Sequence, residues 1–565
     1  MIFKDIEYLA HREEMKKIYS SDTMCIAKFL TSTIYLQTGT THSCYHPSPH
    51  YIPLSEIQSN PSAIHNTKHK KELRKIMLSG GRPEECNYCW KIEDLGESPV
   101  RAGGPSATRS ARKLAVVEST ISDRLEKSKN ETLITPEAHE DIKKYGWDYN
   151  YVPSYVEISF GNECNQKCFY CHPKASNRWQ KEMEEFGPIP GEPQLQRLHE
   201  TIYKEEANPY LDAFWKWWPE LSTKIKVLRL TGGEPLIQRS IWQFLDLLKS
   251  HNNPDLIFQL NSNLNIKPIL VKKLVEKVNW LLENNKIKMF NFYTSLESWG
   301  ERAEYARYGL DLNLWENNLK YIIKNLLNDK PEPRSTIHIM NTFNVLSVTS
   351  YKQFLEKILE WRQEFAKDNS VGKVYFDIPH ATEPSHVILP ILPDSYLKYF
   401  NEIEEFITDN LWKSKDSTHK YHHWFTDEEL IQFKRIGAYF KTSLKQQECM
   451  PFDRPEYLSP HQIDNARKNF KRFVDALDKR RNTSFLETFP EMKDFYELCE
   501  VIEEDSQYSA TCEKYMLSDK KIEFHYDDWF YITRPTLSNR LLKYRETNHY
   551  RTLVYKNDEL VEEIK

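Results

Sequence analysis

The stretch GNECNQKCFYCHP, residues 161–173, holds three cysteines, Cys164, Cys168 and Cys171, with an aromatic pair between the last two. Thiolates are soft metal ligands. Three of them are one short of the four-cysteine shell of an iron–sulfur cluster, and one short of a closed tetrahedral zinc site. His172 offers a fourth zinc ligand; otherwise the metal keeps an open position, where a substrate usually binds.

A second constellation lies at the front of the chain. Cys25 and Cys44 flank Gly39, and Cys86 and Cys89 follow as a C-x2-C pair in PEECNYCW. The run STIYLQTGTTHSC reads as strand, turn at Gly39 and strand, which folds the second cysteine back toward the first. Four cysteines in two pairs close a complete shell, so on spacing alone structural zinc and an iron–sulfur cluster both fit. The remaining three of the ten cysteines, Cys449, Cys499 and Cys512, have no ligand spacing and read as buried or free thiols.

These residues need elements to hold them. From about residue 150 to 380, apolar strand patterns alternate with helical ones. SYVEISFG, IKVLRLTGG, DLIFQLNSN, MFNFYTSLES, STIHIMNTFN and KVYFDIPH read as six strands. Between them run helical stripes: Ile241, Phe244, Leu245 and Leu248; Trp315, Leu319, Ile322 and Leu326; Phe354, Ile358, Trp361 and Phe365. Such alternation predicts an α/β fold with a parallel sheet. Six units suit an incomplete barrel better than a closed eight-fold one. Chemistry in such sheets gathers at the carboxyl ends of the strands, where the special residues fall. The cysteine triplet follows the first strand and TGGEP (231–235) the second; NSN (261–263) ends the third and SLES (295–298) the fourth. With only 16 glycines in 565 residues, well below the usual ~7%, the Gly232–Gly233 pair marks a backbone that must take positive φ or approach a ligand closely.

The C-x3-C-x2-C spacing with Tyr170 before the last cysteine, the GGEP loop and the six-unit pattern together resemble the radical SAM superfamily over roughly residues 150–395. A zinc site alone would not explain GGEP two elements later. The resemblance implies that Cys164, Cys168 and Cys171 hold three irons of a [4Fe–4S] cluster whose fourth iron takes S-adenosylmethionine. Reductive cleavage then yields a 5′-deoxyadenosyl radical, with the protein supplying binding and orientation. It further implies that Gly232, Gly233 and Glu234 hold the methionyl amino group. Ser262 and Asn263 would face the ribose, Ser295 and Glu297 would be the next polar contacts, and Asn344 a further candidate.

The front pattern, C-x13-G-x4-C followed by C-x2-C, looks like the twitch module, half of a SPASM domain, found in peptide-modifying radical SAM enzymes. It implies an auxiliary [4Fe–4S] cluster on Cys25, Cys44, Cys86 and Cys89, although here the module precedes the barrel. The expected architecture is a twitch-like module at 1–104, a linker at 105–150, a partial (β/α)6 TIM-like barrel at 151–395 and a mostly helical extension at 396–565. The expected activity is radical modification of a peptide or protein side chain, fed by a donor such as flavodoxin or ferredoxin. The alternatives are a nucleotide, sugar or tRNA substrate, and a non-catalytic binding module with structural zinc.

Composition bounds these readings. A net charge of −5 gives no global basic field of the kind nucleic-acid binders carry, although a local patch stays open. Lys479, Arg480 and Arg481 read as a solvated basic face. GGPSATRS lacks the frame of a phosphate loop. No run approaches the roughly 18 apolar residues of a membrane span. The charged amphipathic start has no apolar h-region, and a cytoplasmic protein is expected.

Overall fold

The computed structural model describes residues 23–44, 47–87, 89–90, 136–189, 202–251, 253–326, 334–365, 374–412, 424–448 and 460–500, and the strand residues 539–546, 549–556 and 559–564. The amphipathic start, GGPSATRS, Cys449 and Cys512 lie outside them.

The strands are β1 (Thr31–Tyr35), β2 (Thr40–His42), β3 (His50–Tyr51), β4 (Tyr155–Ser159), β5 (Lys167–Cys168), β6 (Val227–Thr231), β7 (Ile257–Ser262), β8 (Met289–Ser295), β9 (Arg307–Tyr308), β10 (Ser335–Met340), β11 (Val374–Asp377), β12 (Asn539–Glu546), β13 (His549–Lys556) and β14 (Glu559–Ile564). All six strands expected from the repeating pattern are present. They lie side by side in a nine-stranded sheet of order β11-β10-β8-β7-β6-β4-β1-β2-β3. Strands β4, β6, β7, β8, β10 and β11 run parallel. No closing pair joins its two ends among the described residues, so the sheet is open. The front of the chain adds directly to it: β1 pairs parallel with β4, while β2 and β3 follow antiparallel. Gly39, at φ 63°, lies between β1 and β2, where the sequence called for a turn. A Cβ there would sit 2.2 Å from the Tyr210 ring.

The two faces of the sheet differ. One register row runs Ile34, Ile158, Leu230, Leu260, Phe292, Ile337 and Val374, all nearly without exposure. The apolar stripes of the helices Arg239–Leu247, Leu312–Leu326 and Tyr351–Phe365 belong to the same core. On the alternate face the row at the amino ends, Tyr155, Val227, Ile257 and Met289, is apolar, but the rows beyond it toward the carboxyl ends are polar. One row runs Thr33, Glu157, Arg229, Gln259, Asn291 and Thr336, and the next carries Asn261, Tyr293, His338 and Tyr375. Parallel strands covered on both faces usually read as near-continuous apolar runs. A sheet with one polar face has a reason to keep it so.

Beyond β11, the helices Leu397–Asp409, Asp427–Glu448 and Pro460–Arg481 complete the first of two compact units, Met1–Cys499. The Arg362 guanidinium and the Glu429 carboxylate, both buried, meet at 2.6 Å. Of the basic cluster, Lys479 is exposed as expected, whereas Arg480 is half-buried and Arg481 buried. Arg481 is 7% exposed and pairs with Glu182 at 3.2 Å. Arg480 donates to the Gly187 carbonyl at 2.9 Å. These contacts dock the end of helix Pro460–Arg481 on the helix Asn177–Phe186 that follows the cysteine loop. Cys499 is a buried free thiol, as its lack of ligand spacing implied. In the second unit, Glu500–Lys565, the described residues form a three-stranded antiparallel sheet, β12-β13-β14. The extension expected to be mostly helical is helical up to Leu498 among its described residues and ends in these strands.

Candidate functional site

The three cysteines of the 164–171 loop are half-buried free thiols on a tightly held loop. Its start is pinned by the Cys164 amide, which donates to Asn177 Oδ1 at 3.1 Å. The hydroxyl of Ser176, which caps helix Asn177–Phe186, donates to the Gln166 carbonyl at 2.8 Å. The Trp179 indole donates to the Cys168 carbonyl at 2.9 Å. Residues Lys167 and Cys168 form β5, paired antiparallel with Arg307 and Tyr308 in β9. The aromatic pair divides its work. Phe169 has no exposure and packs edge-on against Phe473, with ring centroids 5.0 Å apart. Tyr170 turns the other way, and its hydroxyl lies 3.2 Å from Glu297 Oε2.

The GGEP loop closes over this structure. The Glu234 amide donates to the Glu163 carbonyl at 2.7 Å. Gly232 and Gly233 both take positive φ, 92° and 52°. A Cβ on Gly233 would lie 2.2 Å from the Glu163 carbonyl oxygen, so the close approach read from the sequence is made first to the cysteine loop itself. The Glu234 carboxylate has no exposure. Its Oε1 accepts from the Leu236 amide at 3.0 Å and from the Ser262 hydroxyl at 2.9 Å, and its Oε2 from the Asn263 amide at 2.5 Å. Burial lifts this acid to about 7, against the pull of those three donors.

Asn263 joins the third loop to the cysteines. Its side-chain amide donates to Asn165 Oδ1 at 2.7 Å and sits 3.8 Å from Cys164 Sγ. At the end of β8, Ser295 is half-buried, while Glu297 is 1% exposed and fully engaged by Arg307. Asn344 is spent on a local turn, accepting from the Leu346 amide at 3.0 Å. The structure thus gathers Gly232, Gly233, Glu234, Ser262 and Asn263 around the cysteine loop, with Glu297 reaching it through Tyr170 and Arg307.

The three thiols act on one another. Burial raises Cys168 to about 12, with Arg307 pulling it down and Cys164 pushing it up. Cys171 is raised by burial and by both other thiols, and Cys164 by burial and Glu234. Among the described residues, no group of three or more His, Cys, Asp or Glu side chains converges on the position of a single metal ion. An iron–sulfur cluster is held by cysteine thiolates and tuned by N–H donors near the sulfurs. Asn263 at Cys164 and Arg307 at Cys168 supply such donors. The residues present fit a cluster.

At the front, Cys25, Cys86 and Cys89 are buried and Cys44 is half-buried. Cys25 and Cys86 share a small core with Ala27, Met77 and Trp90. Burial pushes Cys86 up to about 12, with Cys25 and Cys44 adding to the rise and Lys28 opposing it. Lys28 is 2% exposed and forms an ion pair with Glu85. Burial works against its charge, but Cys86, Glu85 and Cys44 outweigh that and hold it above the usual lysine range. A lysine placed among cysteines compensates the negative charge that a loaded thiolate site would carry.

Two groups near the strand ends had no place in the sequence reading. Arg307 lies in ERAEYARYGL, a segment with no motif. His338 lies in the polar row, stacked between Tyr293 at 4.8 Å and Tyr375 at 5.3 Å, with Nδ1 3.4 Å from Asp377 Oδ2. Its signal was the polar alternation of STIHIM.

No family model matches the chain. Over 137 residues it is 29% identical to a GTP 3′,8-cyclase of Nautilia profundicola, covering 23% of this chain and 36% of that protein. Over 117 residues it is 25% identical to a GTP 3′,8-cyclase of Campylobacter lari, covering 20% and 30%. The chain spans about a third of the length of the curated relatives it matches. This likeness supports the superfamily resemblance carried by the cysteine and GGEP motifs. Among the described residues no helix is long and apolar enough to cross a membrane.

Proposed function

We propose that this chain is a radical SAM enzyme with a partial (β/α)6 barrel. Cys164, Cys168 and Cys171 would hold a [4Fe–4S] cluster, which when bound supplies the electron that cleaves S-adenosylmethionine. Gly232 and Gly233 offer backbone to the methionyl end, and Ser262, Asn263 and Ser295 are polar strand ends for the rest of that molecule. Glu234 and Glu297 act from beneath, fixing loop and cysteines. The observation that carries the reading is the junction of three strand-end loops at the cysteines, through the Glu234–Glu163, Glu234–Asn263 and Asn263–Cys164 contacts. The test is anaerobic reconstitution with S-adenosylmethionine and dithionite. 5′-Deoxyadenosine should form, and its absence from protein with full iron content would overturn the reading.

The twitch-like spacing at the front supports an auxiliary [4Fe–4S] cluster on Cys25, Cys44, Cys86 and Cys89. It also supports a peptide or protein side chain as substrate, with flavodoxin or ferredoxin as donor in the cytoplasm. A second reading, a small nucleotide-like substrate, is favoured by the likeness to GTP 3′,8-cyclases and by the polar face carrying Arg229, Asn261, Tyr293 and His338. Incubation with GTP and S-adenosylmethionine, followed by mass analysis of the nucleotide, separates the two.

A further inference from the structure

Cys168 and Arg307 are directly opposed partners in the β5–β9 pair. Arg307 is 3% exposed. Its Nε donates to both Glu297 oxygens, at 3.1 and 3.0 Å. Its Nη2 donates to Glu297 Oε2 at 2.6 Å and to the Tyr170 hydroxyl. Nη1 points the remaining way and lies 3.9 Å from Cys168 Sγ. Glu297 and Tyr170 thus fix a rigid planar fork, and the strand pairing aims its last arm at a sulfur.

We propose that Arg307, held by Glu297 and Tyr170, is a positioning residue that sets the reduction potential of the cluster carried by Cys164, Cys168 and Cys171. The inference rests on the cluster reading above. A reduced cluster carries one more negative charge than the oxidised one. A buried cation beside a sulfur ligand therefore stabilises the reduced form more, and hydrogen bonds to sulfur act in the same direction. Glu297 works in opposition, because its carboxylate offsets part of the guanidinium charge.

The two partners of one buried ion pair should therefore move the potential in opposite directions. Arg307→Met should make the cluster harder to reduce and Glu297→Gln easier. Arg307→Lys, which keeps the charge but loses the fork, should fall between wild type and Arg307→Met. A pair that only held the loop together would show as lost iron or lost stability from either side, without ordered shifts of opposite sign at full iron content. The double variant Arg307→Met/Glu297→Met leaves neither charge. It should still be harder to reduce than wild type, because the donor at Cys168 is gone.

The experiment is an EPR-monitored redox titration of the full-length, anaerobically reconstituted protein, following the signal that changes on adding S-adenosylmethionine. Iron content is measured on each sample. Opposite shifts for Arg307→Met and Glu297→Gln establish the role. Shifts of the same sign, or no shift at wild-type iron content, overturn it while leaving the cluster reading intact. If Arg307→Met does not retain iron, Arg307→Lys and Glu297→Gln carry the same opposition and decide it. Iron content that stays at the wild-type level when all three cysteines are replaced would refute the cluster reading, and this inference with it.

Discussion

Glu234 and Ser262 meet at 2.9 Å beneath the loop that ends β6, and the other oxygen of the same carboxylate takes the Asn263 amide. One buried acid thereby ties the carboxyl ends of β6 and β7 together, while its own amide holds the Glu163 carbonyl of the cysteine loop. The sequence reading put Glu234 on the methionyl amino group. The structure gives its carboxylate three donors from its own chain, so it shapes the loop from below.

That placement has a pH signature. Burial lifts Glu234 from the model-peptide 4.5 to about 7 in the folded chain. A raised carboxyl stabilises the fold in its protonated form. The contribution is full below about 4.5 and is lost as pH rises through about 7, which at about 1.4 kcal/mol per pH unit amounts to about 3 kcal/mol. Glu234→Gln cannot titrate, and its amide donors would face three donors. The stability margin of wild type over Glu234→Gln should therefore narrow by about 2–3 kcal/mol between pH 5 and 7.5. Denaturant unfolding of both proteins at the two pH values measures it. A margin that stays constant would remove Glu234 from the titrating groups of the fold.

The glycine pair should rank by what each Cβ meets. On Gly233 the obstacle is the Glu163 carbonyl at 2.2 Å, main chain that cannot swing aside. On Gly232 the nearest atom is the Ser159 hydroxyl oxygen at 1.9 Å, which can rotate away, although Ser159 Cβ at 2.7 Å and the Gly161 carbonyl at 2.9 Å stay in place. Both positions also carry positive φ, which costs a residue with a Cβ about 1–2 kcal/mol. Gly233→Ala should lower the melting temperature more than Gly232→Ala and loosen iron binding at the cysteine loop. Iron analysis with thermal unfolding tests the order, and the reverse ranking would mean that Ser159 is the more rigid neighbour.

Replacing Cys164, Cys168 and Cys171 with Ala should reduce iron from about eight to about four per chain, if each site holds a four-iron cluster. Formation of 5′-deoxyadenosine should cease. A triple variant that still cleaves S-adenosylmethionine would place the open iron elsewhere.

How much of this was legible in the chain depended on range. The six strands and their helices were visible because β4 to β11 repeat a local pattern. The cysteines and GGEP stood out because their spacing is local, and the structure brings them together. Arg307 was invisible because it meets Cys168 across 139 residues, from a two-residue strand too short to show any periodicity. Arg481 was misread for the same reason, its partner Glu182 lying 299 residues away. The polar row was readable and was missed. Alternating Glu157, Arg229, Gln259 and His338 within otherwise apolar parallel strands already marked a face that something polar must meet. The terminal strands β12 to β14 were not legible, because NRLLKYRE, HYRTLVYK and ELVEEI do not alternate apolar with polar residues.

The front module should depend on Lys28 as much as on its cysteines. Buried Lys28 faces Glu85, and its raised proton affinity reflects the negative charge of Cys86, Glu85 and Cys44 outweighing burial. Loading any metal requires the cysteines to give up their protons, and burial, with Cys25 and Cys44 adding to it, pushes Cys86 the wrong way, up to about 12, even against the pull of Lys28. Lys28→Met keeps the length of the side chain and removes the compensating charge. It should therefore empty the front site as Cys86→Ala does, taking iron from about eight to about four per chain, while 5′-deoxyadenosine still forms. Iron, sulfide and zinc analysis of anaerobically purified wild type, Lys28→Met and Cys86→Ala gives the result. One zinc with four irons in the wild type would assign the front site to zinc. Full iron in Lys28→Met would show that the thiolates need no buried cation.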